Sequence, residues 1–216
     1  EIDYYLAACA VELGSDDAEG ALRDFERRHP GSVYANDVRF SLGSYYCAVG
    51  NMPLAREAFE RTEYKALSAP RREQYDIRMG YVEFTQGDYA AAYDRFSRIG
   101  SRSEYADHAL YYRSYIDYAE GRYDRAKDGF TQLTRSDAYR DLVPFYLLQI
   151  EFRNGNYRYV VDHGEELVRK AVPERQAELE RVIAESWFRL DDYNAAIEHM
   201  DRYTAAGGEM DRDASY

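Results

Sequence analysis

A fixed internal period constrains this chain more than any other feature. The segments "QGDYAAAYDRF", "EGRYDRAKDGF", "NGNYRYVVDHG" and "LDDYNAAIEHM" align on Tyr89, Tyr123, Tyr157 and Tyr193, in steps of 34, 34 and 36 residues. One unit earlier, "VGNMPLAREAF" aligns with Met52 in the tyrosine place, 37 residues before Tyr89. A period of this length means a stacked array of small supersecondary units, each burying its apolar face on its neighbours. Each segment carries a turn signal: Gly50, Gly87, Gly121 and Gly155, with Asp191 in the last. Glycine ends a helix because it accepts the left-handed backbone, and Asn51, Asp88 and Asn156 after it are suited to cap the next helix. Pro53 falls in a first turn, where its missing N–H costs nothing.

On both sides of each turn the apolar residues recur at helical spacing. Phe40, Leu42, Gly43 and Tyr46 precede the first turn; Ala55, Phe59 and Thr62 follow it. Later units give Met79 and Gly80, then Ala92, Phe96 and Ile99; and Leu110 and Ser114, then Ala126, Phe130 and Leu133. Gly43, Gly80, Ser114 and Ala184 align opposite Ala55, Ala92, Ala126 and Ala196, so the paired helices can approach closely. Phe59, Phe96 and Phe130 are then wedges against the next hairpin. No strand-like alternation competes, and the class is all-α.

This helix–turn–helix pattern resembles the tetratricopeptide repeat (TPR) family. The unit "LGSYYCAVGNMPLAREAF" carries the likeness best, with Leu42-Gly43, Tyr46, Gly50, Ala55 and Phe59 in family order. The resemblance implies a right-handed α-α superhelix, a solenoid of antiparallel helix hairpins. A divergent leading unit covers about 1–33, and repeats cover about 34–70, 71–104, 105–138, 139–174 and 175–206. The fourth of the aligned units departs most, with Leu148 for the small residue, Val160 for the alanine and Gly164 for the aromatic. "FERRHPGSVYANDVRFSLGSYYCAVGNMPLAREAFE" is similar to TPR proteins of the Gram-negative envelope, of the Tol-Pal coordinator and outer-membrane-assembly types. The tyrosine-rich style resembles long TPR proteins of Bacteroidetes. A periplasmic or envelope location is what those likenesses imply. Glu1 lies within helical pattern, and 208–216 ("GEMDRDASY" with Tyr216 last) reads as the start of a further helix, so the chain is expected to be a fragment of a longer array. Ends cut in this way leave apolar surface around Trp187, Ile197 and Met200 and invite self-association.

The chemistry search comes back thin. A formal net charge of −12 repels phosphate backbones and anionic lipid, so nucleic acid is a poor partner. No apolar run approaches the ~20 residues of a membrane-spanning helix, and membrane insertion is not expected. His29, His108, His163 and His199 form no metal-ligand spacing with each other or with cysteine, and read as solvated helix residues. Cys9 and Cys47 read as buried, reduced thiols. There is no phosphate-cradling glycine loop, calcium loop or nucleophile elbow. The carboxylates of Asp16-Asp17 and Asp191-Asp192 are explained by helix ends. The chain is therefore expected to be no enzyme, with no cofactor and no metal.

What stands out instead is tyrosine, 23 of them against nine phenylalanines and one tryptophan. Tyrosine has an apolar body and a wet tip, and suits both half-buried interfaces and binding faces. By the resemblance, the first helices of successive hairpins line a concave groove. Carried over, its positions are Ile77, Tyr81 and Phe84; Tyr111, Tyr115 and Tyr118; Phe145, Gln149 and Phe152; and Arg181, Glu185 and Phe188. Phe40, Ser44 and Cys47 form a weaker rung. Each set lies at i, i+4 and i+7, on one helix face. Phe84, Tyr118, Phe152 and Phe188 make an aromatic ladder, which either lines the groove or packs between helices. The groove lacks the lysine and asparagine set of TPRs that hold chaperone tails; an extended segment with proline, aliphatic or basic residues suits it better. The favoured reading is a protein- or peptide-binding scaffold. A structural or self-associating spacer and a glycan-binding envelope module are the alternatives.

Overall fold

The five turns that punctuate the repeat all place one residue in the left-handed region: Gly50, Gly87, Gly121 and Gly155 at φ 76–79°, and Asp191 at 63°. In each, the N–H of the following residue reaches the carbonyl five positions back, as in Asp88 N to Glu83 O at 2.9 Å and Asp192 N to Trp187 O at 3.1 Å. That bond closes the helix end and aims the chain antiparallel. Asn51, Asp88 and Asp192 then cap the next helix, accepting from the N–H of Leu54, Ala91 and Ala195. Asn156 does not. Its amide donates instead to the Glu151 carboxylate at 2.5 Å, and that helix starts without a side-chain cap.

In the computed structural model the described residues are 2–12, 15 and 17–208. The proposed helix start at 208–216 lies outside them, apart from Gly208. In chain order the α-helices among these residues are α1 (Ile2–Glu12), α2 (Ala18–Arg28), α3 (Ala35–Ala48), α4 (Met52–Glu60), α5 (Ala69–Thr85), α6 (Tyr89–Ser97), α7 (Ala106–Ala119), α8 (Tyr123–Leu133), α9 (Val143–Arg153), α10 (Tyr157–Lys170), α11 (Pro173–Arg189) and α12 (Tyr193–Ala205). A short 3-10 turn at Tyr64–Ala66 precedes α5, and no strand occurs among the described residues. The chain forms two compact units, Glu1–Ile116 and Asp117–Tyr216.

In the first unit the small residues do what their alignment predicts. A Cβ on Gly43 would come within 2.6 Å of the Phe59 ring, and one on Gly80 within 2.8 Å of Phe96. Phe59 and Phe96 are fully buried, as are Ala55 and Ala92 beside them. Each wedge also meets a tyrosine sixteen residues on, from the next hairpin. Tyr75 stands edge-on to Phe59 at 5.2 Å and its hydroxyl donates to the Phe59 carbonyl; Tyr112 lies flat on Phe96 at 5.1 Å.

The second unit repeats the device once, with Tyr146 stacked on Phe130 at 4.9 Å. The next rung abandons it. Gly164 stands in the phenylalanine place, and Ile183 fills the gap, its side chain 2.6 Å from where a Cβ would be. The partner sixteen residues on is Glu180, buried and bonded to His199 Nδ1 at 2.6 Å. His199 Nε2 faces Glu165 at 3.4 Å, and Arg202 bonds the same carboxylate at 2.8 Å. The sequence expectation of a solvated His199 is thus corrected: it is 5% exposed, its buried ring nitrogens meeting the Glu180 and Glu165 carboxylates. The other three histidines are exposed. Cys9 is also exposed, contrary to expectation, whereas Cys47 is half-buried and its thiol is pushed up to about 11 by burial; both are free.

Candidate functional site

The predicted groove residues sort by unit. In the first, Ile77 and Phe84 pack on the cluster around Phe96 and Ile116, while Tyr81, Tyr111 and Tyr115 are half-buried above it. Phe84 is the pivot, with Tyr115 edge-on at 5.3 Å and Tyr112 at 4.9 Å. Tyr81 lies 5.7 Å from Tyr112, and Tyr111 lies 6.5 Å from Tyr115. Tyr112 was not among the predicted residues. Burial pushes its hydroxyl up to about 12, so it stays protonated and serves as the fixed support beneath the other rings. Its signal was present in the sequence as the Phe96–Tyr112 spacing. The result is a cluster of half-buried tyrosine rings around Phe84 and Tyr112.

In the second unit the same register gives a different surface. Gln149 is 2% exposed, and its amide donates to Glu178 at 3.2 Å. Glu178 in turn accepts two bonds from Arg181, which also pairs with Glu185. Burial would raise the Glu178 carboxyl, but Arg181 outweighs it and holds the group below its usual range. Phe145 lies beneath the Arg175 guanidinium at 5.2 Å. Phe152 is 8% exposed and belongs to the core. Tyr118 touches Tyr123 and Tyr146, and burial raises its hydroxyl.

The ladder has a structural duty as well. Phe84, Tyr118, Phe152 and Phe188 each contact the tyrosine that marks the repeat register, five residues on: Tyr89, Tyr123, Tyr157 and Tyr193 at 5.5, 5.9, 5.8 and 5.5 Å. Each pair brackets its left-handed turn. Phe188 still leaves 51% of itself exposed.

Directly before three of these ladder aromatics stands a buried carboxylate: Glu83, Asp117 and Glu151. Sequence inspection missed them, because helix-end acids usually face water. Asp117 bonds Arg122 at 2.5 Å. Glu151 bonds Lys127 and Asn156, both at 2.5 Å; burial alone would raise it, but those two partners bring it below its usual range. Glu83 differs. Arg95 reaches only Oε1, at 3.3 Å, Oε2 has no hydrogen-bond partner among the described residues, and burial wins, raising the carboxyl. A raised acid stabilises the fold only while protonated, and that contribution is lost as pH rises through its folded value. A lowered acid contributes above its ordinary range and is lost as pH falls through the folded value. Glu83→Gln is therefore expected to leave thermal stability at neutral pH unchanged or raised. Glu151→Gln should cost about 1–2 kcal/mol, since a charge-assisted bond is lost while Lys127 remains partly solvated. Melting curves at neutral and acid pH check both, and a Glu83→Gln protein that melts well below wild type at neutral pH refutes the assignment.

No family model matches the chain, and no curated protein matches it. Solved structures do. A MamA crystal structure superposes with a TM-score of 0.64 over 81% of this chain and 93% of its own, at 11% identity. A tetratricopeptide repeat protein from Parabacteroides merdae gives 0.65 over 97% of this chain and 82% of its own, at 16% identity. Pseudomonas aeruginosa pilF gives 0.60 over 93% and 88%, also at 16%. The fold is that of the TPR solenoids.

Proposed function

We propose that this TPR-fold chain is a non-catalytic scaffold that binds a protein partner through an extended segment, using the tyrosine face of the first unit. The observation that carries the reading is Tyr81, Tyr111 and Tyr115, half-buried rings on α5 and α7 braced by Phe84 and Tyr112. Rigid amphipathic aromatics are the side chains that supply most binding energy in protein interfaces. A net charge of −12 favours a segment carrying basic or neutral residues. Asp117 and Glu151, two of the buried acids, are committed to pairs with Arg122 and Lys127, which fits a scaffold. An envelope location is carried over from the sequence resemblance alone. Affinity capture from the native cell extract with wild type and the Tyr111→Ala and Tyr115→Ala proteins tests the reading. A partner retained equally by all three would overturn it.

A second reading, self-association, draws on α12. Ile197 is 60% exposed and Tyr193 54%, on the helix that also carries half-buried Met200. Sedimentation velocity at ~100 μM should then show a concentration-dependent faster species, which Ile197→Glu removes. A single slow species for both proteins eliminates this reading.

A further inference from the structure

The second unit carries a cleft that the groove positions do not describe. It encloses about 400 Å³ between the first turn of α9, the end of α10 and the first turns of α11. Its position follows from local sequence. Pro173 disfavours helix at the residue before it, so Val172 is extended (φ −64°, ψ 150°), α10 ends, and the chain turns sharply into α11. Pro144 similarly occupies the first turn of α9. The wall is apolar: Phe145, Pro144, Leu167 and buried Leu179. The rim is basic, with Arg140, Lys170 and Arg175 against a single carboxylate, Asp141.

Those three cations differ in commitment. Arg140 pairs with Asp137 at 2.8 Å and Lys170 with Glu166 at 2.6 Å, but both are exposed pairs three or four residues apart on the chain. Such pairs exchange readily for another anion. Arg175 has no carboxylate partner among the described residues. Its guanidinium lies over the Phe145 ring at 5.2 Å, and its N–H groups suit an outside carboxylate. All this lies in a chain whose net charge is −12. Asp137 and Glu166 pair Arg140 and Lys170 from outside the lining, so Arg175 is the cation of this rim left to attract an acidic ligand.

We infer that this cleft is a docking site for an acidic partner segment in which one phenylalanine- or leucine-sized side chain is flanked by glutamate or aspartate. The apolar side chain occupies the Phe145–Leu179 wall, and a flanking carboxylate takes a forked pair of hydrogen bonds from Arg175. A volume of about 400 Å³ falls within the range of sites that hold a ligand of this size. The polarity is opposite to that proposed for the tyrosine face, and the inference stands apart from it.

The test titrates the full chain with the blocked peptide acetyl-Glu-Glu-Phe-Glu-Glu-amide by calorimetry, up to ~1 mM. Binding is expected, falling steeply as salt is raised. Replacing the peptide's phenylalanine by alanine, or its glutamates by glutamine, should each weaken binding roughly tenfold or more. On the protein, Arg175→Gln removes the charge and the guanidinium over Phe145, and should weaken binding to a similar extent. Lys170→Gln should weaken it less, and Tyr111→Ala not at all. No binding up to that concentration, equal binding of the glutamine peptide, or full binding by Arg175→Gln would overturn the proposal. So would 3-phenylpropionate binding as tightly as the peptide, which would assign the cleft to a small carboxylate. Loss of binding on Tyr111→Ala would place the peptide on the tyrosines of the first unit and overturn the proposal as well.

Discussion

Phe96→Ala and Phe130→Ala are each expected to destabilise the protein by about 3–5 kcal/mol, among the largest effects a single substitution here can have. Both rings are fully buried and both carry a stacked tyrosine from the next hairpin. Truncation removes the ring's burial, the face of its tyrosine partner and, at Phe96, the filling of the space that Gly80 leaves open. The surroundings are helices locked by their turn geometry, so they collapse only partly into the cavity. A solenoid transmits the loss to its neighbours, because each hairpin is stable only through its interfaces. Equilibrium urea unfolding with each variant measures the effect, analysed as two or more transitions where the two units melt apart. A loss below about 1 kcal/mol would mean that these positions are not the wedges described.

The second large effect is expected in binding and not in stability. Tyr111→Ala and Tyr115→Ala remove half-buried rings, and each should lower stability by only about 0.5–1 kcal/mol, leaving melting close to wild type. If either ring anchors the partner, its loss should cost about 2 kcal/mol of affinity, close to thirtyfold in Kd. Tyr112→Ala is the control that separates support from contact. It lies stacked on Phe96, so its loss should lower the melting temperature strongly. Titration of the captured partner against these variants, with melting curves on the same samples, checks the pattern. Unfolded Tyr111→Ala or Tyr115→Ala proteins, or unchanged affinity, would make the rings interhelix filling and move the contact surface elsewhere.

The two sets of residues were not equally visible from the sequence, and the reason is periodicity. The left-handed turns at Gly50, Gly87, Gly121, Gly155 and Asp191 were readable because backbone sterics leave few residue choices there. The wedges and the small residues opposite them were readable because close helix packing demands that pairing of sizes at a fixed interval. Where the repeat decays, reading failed. With Gly164 in place of phenylalanine, nothing in the linear pattern says that Ile183 will fill the hole or that His199 will be drawn between Glu180 and Glu165.

The sequence by itself determined the class, the hairpin period, the turn positions and the residues facing along each helix, since all of these depend on spacing within one or two hairpins. Tertiary structure decided how deep each residue lies. Gln149 and Phe152 share a register with Tyr115 and Tyr118, yet they are buried, because side chains from other helices cover them in their own unit. It also decided the shifts of Glu83 and Glu151, two acids at equivalent positions whose carboxyls are driven in opposite directions. One meets two donors from separate parts of the chain, while the other keeps an oxygen with no partner among the described residues. The cleft around Arg175 is of the same kind, formed by residues from Arg140 to Leu179 that no periodic pattern brings together. Burial and pairing depend on which atoms arrive from elsewhere in the chain, and that information exists only once the helices have packed.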